Sequence, residues 1–365
     1  MSTLEDLETF IEMELKRDQR ILISSDHHVA SRKLIKDICA RLAQSSIDEC
    51  VTDQSTTTAL LSYLVMKLDA VDIGIMVTCI DAENETCAVK VISKQGALLA
   101  SFEIDASDVK GEFSGGKLLP KSELSKWVNV YLAHVGVQAP LDSAIRINRA
   151  LPIVITTMHG AGGELLESVL SKLGFKKLMF VPGEELADGE FGSSDPHDAT
   201  ALSEGMRYLR GSRAGIMLAI DPAGERMTVT VREDTGEYRL LSSEEVTILM
   251  ADYLCFCRSE NGILSKSSAL ISPQNDLVDS LVRKYGIKHQ VAGNFETIGA
   301  QLLKNQRGFF KHPLLMAADG QDSYLIGQYV NYPDAMSAAV VMCELYCYYE
   351  STPGVGMLDR LDELK

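Results

Sequence analysis

The sequence lacks an excess of positive charge: its 365 residues include 35 Lys and Arg against 51 Asp and Glu, a formal net charge of −16. No basic stripe offsets this acidity, which argues against binding to nucleic acid or to an anionic membrane surface. The eight cysteines are scattered without the spacing of a disulfide framework or a zinc site. Cys343 and Cys347 lie four residues apart on a predicted helix, where core packing is the better interpretation of them. We therefore expect a cytoplasmic protein with no nucleic-acid partner.

Long apolar runs and targeting segments are missing as well. The opening stretch, MSTLEDLETFIEMELKRDQR, has the pattern of an acidic amphipathic helix rather than that of a signal peptide. The most apolar late stretch, AMSAAVVMCELYCYY, contains Glu344 and is too short to span a bilayer. No membrane partner is therefore expected. The 46% of hydrophobic and 24% of charged residues that remain are typical of a globular protein.

The apolar runs that are present predict the same order of secondary structure three times: strand, helix, strand, helix, strand. A chain of this length is expected to form two or three domains. The three repeats open with the predicted strands 20–24, 152–156 and 269–272, and polar links near 141–149 and 258–266 are plausible boundaries between them. Buried strands that alternate with amphipathic helices predict α/β layers with mainly parallel pairing.

One predicted loop lacks the chemistry that its position favours. The stretch DIGIMVTCIDAENETCAVKV has the pattern of a buried strand as far as Thr78, then a polar loop, then a second strand from about Cys87. Loops at the end of a buried strand commonly carry function. The four residues Cys-Ile-Asp-Ala at 79–82 nevertheless contain no hydroxyl nucleophile with a base beside it. The residues alone raise this question without answering it.

Several stretches together resemble the α-D-phosphohexomutase superfamily, which includes phosphoglucomutases and phosphomannomutases. ITTMHGAGGELLESVLSKLGF is similar to that family's TPMHGVGG strand-turn-helix, and LADGEF to its PDGxFP loop. GNFETIG resembles GFKxIG, ISSDHHVASRKL resembles GYDTRxxSRxL, and YLIGQYVNYPDAMSAAVVMCEL resembles YLFGDxVxDKDGIxAALLxLEL. The stretch 72–91 is similar to GIMITASHNPxxYNGYKV. Their order and spacing over residues 20–365 make the resemblance specific.

The resemblance implies an α/β protein of three consecutive α/β/α domains with mixed, mainly parallel sheets, equivalent to phosphohexomutase domains I to III. We expect these domains over residues 1–143, 144–260 and 261–365, with domain I shortened at its N-terminus. The RxSGTEP-type loop of the family's fourth domain has no counterpart in the sequence, so domain IV is expected to be absent. A homodimer that buries the surface left uncovered is a further expectation.

The departures from the family pattern fall on its chemical positions. In active members the serine of TASHNP carries a phosphoryl group that passes to the sugar phosphate; here that position is Ile80, which has no heteroatom. The resemblance therefore implies a phosphohexomutase-like protein without a catalytic residue, in a binding, regulatory or structural role linked to carbohydrate metabolism. The alternative is a hexose-phosphate mutase of altered mechanism, phosphorylated on Thr78 or Asp81.

The family's metal motif is altered too. Three carboxylates of Asp-x-Asp-x-Asp-Arg hold Mg²⁺ in the family, whereas residues 221–226 here read Asp-Pro-Ala-Gly-Glu-Arg. Asp221 and Glu225 are the candidate Mg²⁺ ligands, but magnesium demands tight octahedral oxygen geometry, and no bound cofactor is the main expectation. A structural role, with Arg226 paired to a carboxylate, is the alternative. The histidine pair at 27–28 is interpreted as a loop at a strand end rather than as a metal or proton-transfer site.

Sugar recognition is weakened in the same way. The family loop Gly-Glu-Glu-Ser-Gly-Gly is replaced by Ala-Asp-Gly-Gln-Asp-Ser at 318–323. Asp319 and Gln321 remain candidate ligands for a sugar hydroxyl, and Arg32 remains a candidate cation for a phosphate. The lysine of GFKxIG is Glu296, which repels phosphate. Binding of a sugar phosphate without turnover is therefore a third hypothesis.

Overall fold

The computed structural model describes residues 4–16, 18–26, 28–52, 54–107, 109, 117–140, 147–184, 193–307 and 313–365. Three separate sheets follow one another along the chain, and each is the centre of one α/β unit. Among the described helices, none combines the length and the apolar character that crossing a membrane requires.

The first unit packs helices on both faces of a six-stranded sheet. Its elements are α1 (Leu4–Glu14), β1 (Arg20–Ser25), α2 (Val29–Gln44), β2 (Asp48–Val51), α3 (Thr58–Lys67), β3 (Ile73–Asp81), β4 (Thr86–Ser93), β5 (Leu98–Asp105), β6 (Lys117–Leu118) and α4 (Lys121–Gly136). The strand order is β5-β4-β3-β1-β2-β6. Side chains from alternate positions of β1 enter different cores: Ile21 and Ile23 pack with α1 and α2, whereas Leu22 packs with α3.

The second unit contains a five-stranded sheet in the order β11-β10-β9-β7-β8. Its elements are β7 (Ile153–Thr156), α5 (Gly162–Lys172), β8 (Leu178–Phe180), α6 (Ser203–Ser212), β9 (Ile216–Ile220), β10 (Met227–Arg232), β11 (Tyr238–Leu240) and α7 (Ser243–Glu260). Helix α7 begins at a capping box, in which Ser242 and Glu245 each accept the other's backbone N–H.

The third unit contains a four-stranded sheet in the order β13-β12-β14-β15. Its elements are β12 (Ala269–Ser272), α8 (Asp276–Tyr285), β13 (Lys288–Val291), α9 (Phe295–Arg307), β14 (Leu314–Ala318), β15 (Tyr324–Ile326), α10 (Ala335–Ser351) and α11 (Met357–Leu364). Helix α10 is apolar on every side and almost fully buried, as its sequence requires. It packs against α4, α5 and α7, so it joins the second and third units in one core.

All three units share the same central pairing. The first strand of each unit pairs in parallel with the two strands that follow it, and antiparallel strands extend one side of each sheet. In the first unit, β6 also pairs with β2, in parallel. The predicted α/β class with mixed, mainly parallel sheets is confirmed. The first three residues of the link predicted at 258–266 belong to α7, which continues to Glu260, and the rest of that link is turn or irregular chain. Most of the other link, 141–146, lies outside the described residues.

Candidate functional site

A cavity of about 430 Å³ lies where the three units meet. Strands β3, β4 and β5 of the first unit form one wall, and the turn between β9 and β10 (residues 221–226, the β9–β10 turn) forms another. Ser194 and Gln321 complete the lining from the second and third units. This volume falls in the range of small-molecule sites, which makes the cavity the candidate functional site.

The loop predicted after Thr78 is instead a tight β-hairpin. Strand β3 continues through Ile80 to Asp81, with a bulge between Cys79 and Asp81, and β4 begins at Thr86. The polar loop predicted between Thr78 and Cys87 is therefore shorter than expected: residues 79–81 continue β3 in pairing with β4, and only residues 82–85 form the turn. The side chain of Ile80 is half-buried and lines the cavity.

Backbone contacts hold the hairpin at the position of Ile80. The hydroxyl of Ser194 donates to the carbonyl oxygen of Ile80 at 3.2 Å, and Asp81 forms an isolated antiparallel bridge with Ser193. From the other side, the Cys79 N–H donates to the Asp26 carboxylate at 2.7 Å. Ile80, which the sequence motif aligns with the family's phosphoserine, is thus fixed between the first and second units.

The two alternative nucleophiles are in different surroundings. Thr78 is 3% exposed and lines the cavity. Asp81 accepts hydrogen bonds from the backbone and side-chain nitrogens of Asn84, which lower the pKa of its carboxyl. Asp81 is not among the residues that line the cavity. Of the two, only Thr78 presents its side chain to the site.

The ionisation of Asp26, which accepts a hydrogen bond from the hairpin, makes the stability of the folded protein depend on pH. Burial raises its pKa from 3.8 to about 6, against the opposing effect of the bonds from Cys79 and His28. The folded protein therefore binds a proton more tightly than the unfolded chain, and the stability due to this proton is lost as the pH rises towards 6. Relative to Asp26→Asn, the wild type should gain about 2 kcal/mol between about pH 7 and about pH 4.5, measured by urea denaturation.

The matched control is Asp81→Asn, on the same hairpin. Because the pKa of Asp81 is lowered in the fold, its contribution to stability is lost as the pH falls, so the difference between wild type and this variant should change in the opposite direction. Parallel pH curves for wild type and Asp26→Asn would contradict the assignment of a raised pKa to Asp26.

The β9–β10 turn is closed by its own first residue. One carboxylate oxygen of Asp221, Oδ1, accepts the backbone N–H groups of Glu225 and Arg226 at 2.7 and 2.9 Å. Burial and the neighbouring Glu225 carboxylate raise the pKa of Asp221. Gly224 adopts φ +69°, and the turn lies against Gly160, where an added Cβ would come within 2.3 Å of the Pro222 Cα.

Glu225 is enclosed by donors from two other units. Lys90 Nζ on β4 lies 2.6 and 2.7 Å from its two carboxylate oxygens. The Thr58 hydroxyl donates to Oε1 at 2.6 Å, and the Tyr332 hydroxyl lies 3.4 Å from Oε2. Sequence reasoning did not single out Lys90. The available signal was its position in AVKV, where the family stretch GYKV also has a lysine.

The remaining predicted residues are dispersed. Arg226 lies 3.3 Å from Asp195 and 3.7 Å from Asp221, so carboxylates do surround it. Arg32 is exposed on α2 and is not among the residues that line the cavity. His28 caps α2, and its partner at 27 lies outside the described residues.

The stretch 318–323 borders a second cavity of about 280 Å³ between α7 and α8. Asp319 lines it, and its Oδ1 accepts the backbone N–H groups of Gln321 and Ser323 at 2.7 and 3.1 Å. Gln321 is exposed and lines both cavities. Gln321 therefore lines the same cavity as Asp221 and Glu225, whereas Asp319 lines only the second cavity.

The arrangement does not fit a magnesium ion as it stands. Mg²⁺ requires oxygen ligands in near-octahedral geometry, with free lone pairs directed at the metal. Both Glu225 oxygens already face the Lys90 ammonium, and Asp221 Oδ1 is occupied by two backbone N–H groups. Across the described ranges, no group of three or more His, Cys, Asp and Glu side chains could hold a metal ion.

Three α/β units around a polar central cavity define a class of multidomain α/β proteins. Residues 6–106 match the family model for "Phosphoglucomutase/phosphomannomutase, alpha/beta/alpha domain I". Residues 129–236 match the model for domain II of the same family. The chain belongs to the α-D-phosphohexomutase superfamily, as the sequence motifs predicted.

Individual relatives are distant. A phosphomannomutase of Mycoplasma pneumoniae is 23% identical over 336 residues, which cover 84% of this chain and 57% of that protein. The chain thus spans little more than half the length of this relative. A putative phosphomannomutase of Thermus thermophilus superposes with a TM-score of 0.73 at 16% identity, over the whole chain and 81% of that structure. An N-acetylphosphoglucosamine mutase of Aspergillus fumigatus, solved with GlcNAc-6P and magnesium, superposes with a TM-score of 0.57 at 11% identity. This superposition covers 96% of the present chain and 67% of the mutase.

Proposed function

We propose that this protein is a phosphohexomutase-family member that does not transfer phosphate and that serves a binding, regulatory or structural role in carbohydrate metabolism. The observation that carries the proposal is Ile80, an alkyl side chain at the family's phosphoserine position, fixed there by Ser194 and by the neighbouring Asp26–Cys79 bond. A cytoplasmic location and the absence of a resident cofactor belong to the same proposal.

The charges around the cavity support it. Phosphoryl transfer depends on positioned cations that stabilise negative charge on the migrating group. Among the described residues of the lining, the two cations, Lys90 and Arg226, are engaged by Glu225 and Asp195, and three carboxylates line the same space: Glu103, Asp221 and Glu225. A phosphate that entered would meet more negative than positive side chains. The proposed role therefore does not require a phosphorylated ligand.

The test is incubation of the purified protein with glucose 1,6-bisphosphate and Mg²⁺, followed by intact-mass measurement. Because Ile80 offers no oxygen to phosphorylate, we expect no gain of a phosphoryl group and no conversion of mannose 1-phosphate to mannose 6-phosphate. An active phosphoglucomutase treated in the same way is the positive control. A stoichiometric phosphoryl adduct, or turnover beyond that of a mock purification, would contradict the proposal.

The second candidate function is a mutase of altered mechanism, and one observation favours Thr78 as its phosphorylated residue: the Thr78 side chain lines the cavity, whereas that of Asp81 does not. In that case an adduct would map to the peptide containing Thr78 and would disappear in Thr78→Val. The matched variant Asp81→Asn would retain it.

A further inference from the structure

Lys90 and Glu225 form an ion pair that joins the first and second units in the wall of the cavity. Their side chains are 17% and 12% exposed, and the ammonium contacts both carboxylate oxygens. This pair is distinct from an exposed surface bridge, in which solvent screening leaves little interaction energy. The Thr58 and Tyr332 hydroxyls add contacts to the same carboxylate from α3 and from the segment before α10.

We propose that the Lys90–Glu225 ion pair takes the place of the family's divalent metal at the β9–β10 turn: a lysine also stands at this position in the family stretch GYKV, but here Glu225, one methylene longer than the family's aspartate, places both of its carboxylate oxygens against that lysine. The Lys90 ammonium supplies the positive charge that the buried Glu225 carboxylate requires in a space with little access to water, while Arg226 lies 3.7 Å from the neighbouring Asp221 carboxylate. The turn is thereby held in place by a side chain of the chain itself. This assignment does not depend on whether the protein transfers a phosphoryl group.

Contacts around the ion pair show why its position is well defined. The Thr58 N–H donates to the Ala223 carbonyl oxygen at 3.0 Å, so α3 begins directly against the turn. Gly224 leaves no room beside Thr57, since an added Cβ would lie 2.5 Å from the Thr57 methyl group. Strand β4 is paired with both β3 and β5, which fixes the backbone from which Lys90 extends. The lysine therefore reaches Glu225 from a rigid support.

A magnesium ion and the Lys90 ammonium would compete for the same oxygens. An ion bound to Glu225 would have to displace the ammonium from contacts of 2.6 and 2.7 Å, and the two positive charges would then repel each other. Removal of the ammonium has the opposite consequence. It leaves both Glu225 oxygens without their ammonium partner beside Asp221, whose own counter-ion is Arg226 at 3.7 Å. Mg²⁺ in proteins is commonly held by one or two carboxylates, with waters and other oxygen ligands completing its shell. Lys90 thus conceals a latent divalent-cation site.

Thermal denaturation in EDTA and in millimolar MgCl₂ or MnCl₂ tests this assignment. We expect the wild-type Tm to be the same in all three conditions. Lys90→Met, which keeps the aliphatic stem, should lower Tm by roughly 5 °C because Glu225 is left without its counter-ion. Lys90→Ala, which also opens space for an ion, should have a Tm that rises when Mg²⁺ or Mn²⁺ is added. The double variant Lys90→Ala/Glu225→Gln should lose that rise.

The matched control is Lys33→Met. Lys33 forms the same kind of two-oxygen contact with Glu85, at 3.2 and 2.9 Å, but both side chains are about one-third exposed. Its variant should show little change of Tm and no response to metal. The assignment is overturned if Mg²⁺ raises the wild-type Tm reversibly with EDTA, or if Lys90→Ala does not respond to metal. If the Lys90 variants do not fold, the comparison of the wild-type Tm in EDTA and in Mg²⁺ or Mn²⁺ tests the assignment without them. Because this test measures Tm, its result does not depend on whether the protein transfers a phosphoryl group, which the mass and turnover measurements test.

Discussion

Replacing Gly160 by alanine is expected to destabilise the protein by about 3 kcal/mol and to displace the β9–β10 turn from the first unit. The added Cβ would lie 2.3 Å from the Pro222 Cα and 2.6 Å from its carbonyl oxygen, and both of these are backbone atoms that no rotamer change can move. The backbone on the other side cannot yield easily either, because Met158 and His159 already adopt positive φ angles of 48° and 61°. The turn must therefore shift as a whole.

Gly211→Ala is the matched control, because it adds the same methyl group to the same unit at an exposed position of α6 with no atom within 4 Å. It should stabilise the protein slightly, by about 0.5 kcal/mol, through the lower flexibility of the unfolded chain. Urea denaturation of both variants measures the difference. If Gly160→Ala is no less stable than Gly211→Ala, close packing against Gly160 does not hold the β9–β10 turn in place.

The sequence was sufficient to predict the layers of the fold. Strand, helix, strand patterns identified the parallel centre of each sheet, because buried strands and amphipathic helices have different periods. The motif TTMHGAGG also predicted the strand-turn-helix at Gly160, where the structure shows why a side chain is excluded. The predicted repeat of strands and helices did not include α4, although Leu124, Tyr131 and Val135 have helical spacing and are buried in that helix. A helix outside the repeating pattern is easily overlooked when the pattern guides the search.

The candidate site was predictable in its chemistry but not in its contacts. Comparison with family motifs located Ile80, Asp221 and Glu225, because an absent nucleophile and a missing carboxylate can be seen in the residues themselves. The partner of Glu225 could not be deduced, because Lys90 lies 135 residues away and meets it only when two units pack together. The extension of β3 through Ile80 was missed for a related reason: pairing with β4 outweighed the polar residues that predicted a loop.

Replacing Asp334 by alanine should have a still larger effect, about 4 kcal/mol. Asp334 is fully buried and accepts the Met336 N–H as the N-cap of α10. Its other carboxylate oxygen accepts the hydroxyls of Tyr131 on α4 and of Tyr329. The variant loses a cap, which contributes about 1 kcal/mol, and leaves two buried hydroxyls without their acceptor, at about 1 to 3 kcal/mol each.

Two comparisons separate these contributions. Asn275→Ala removes the N-cap of α8, which also accepts backbone N–H groups but binds no tyrosine, and it should cost only about 1 kcal/mol. Adding Tyr131→Phe and Tyr329→Phe to Asp334→Ala should recover part of the loss, because the unpaired hydroxyls are then gone. Equal losses for Asp334→Ala and Asn275→Ala in urea denaturation would show that the tyrosines contribute nothing.

The effect of Asp334→Ala should reach the cavity as well. The Ala335 N–H donates to the Gly224 carbonyl oxygen at 3.0 Å, and the Tyr332 hydroxyl lies 3.4 Å from Glu225, so the residues on either side of Asp334 hold the β9–β10 turn. We expect faster hydrogen exchange at the Glu225 and Arg226 amides, which donate to Asp221. Unchanged exchange at these amides in a destabilised Asp334→Ala would mean that the buried carboxylate joins α4 to α10 without supporting the turn.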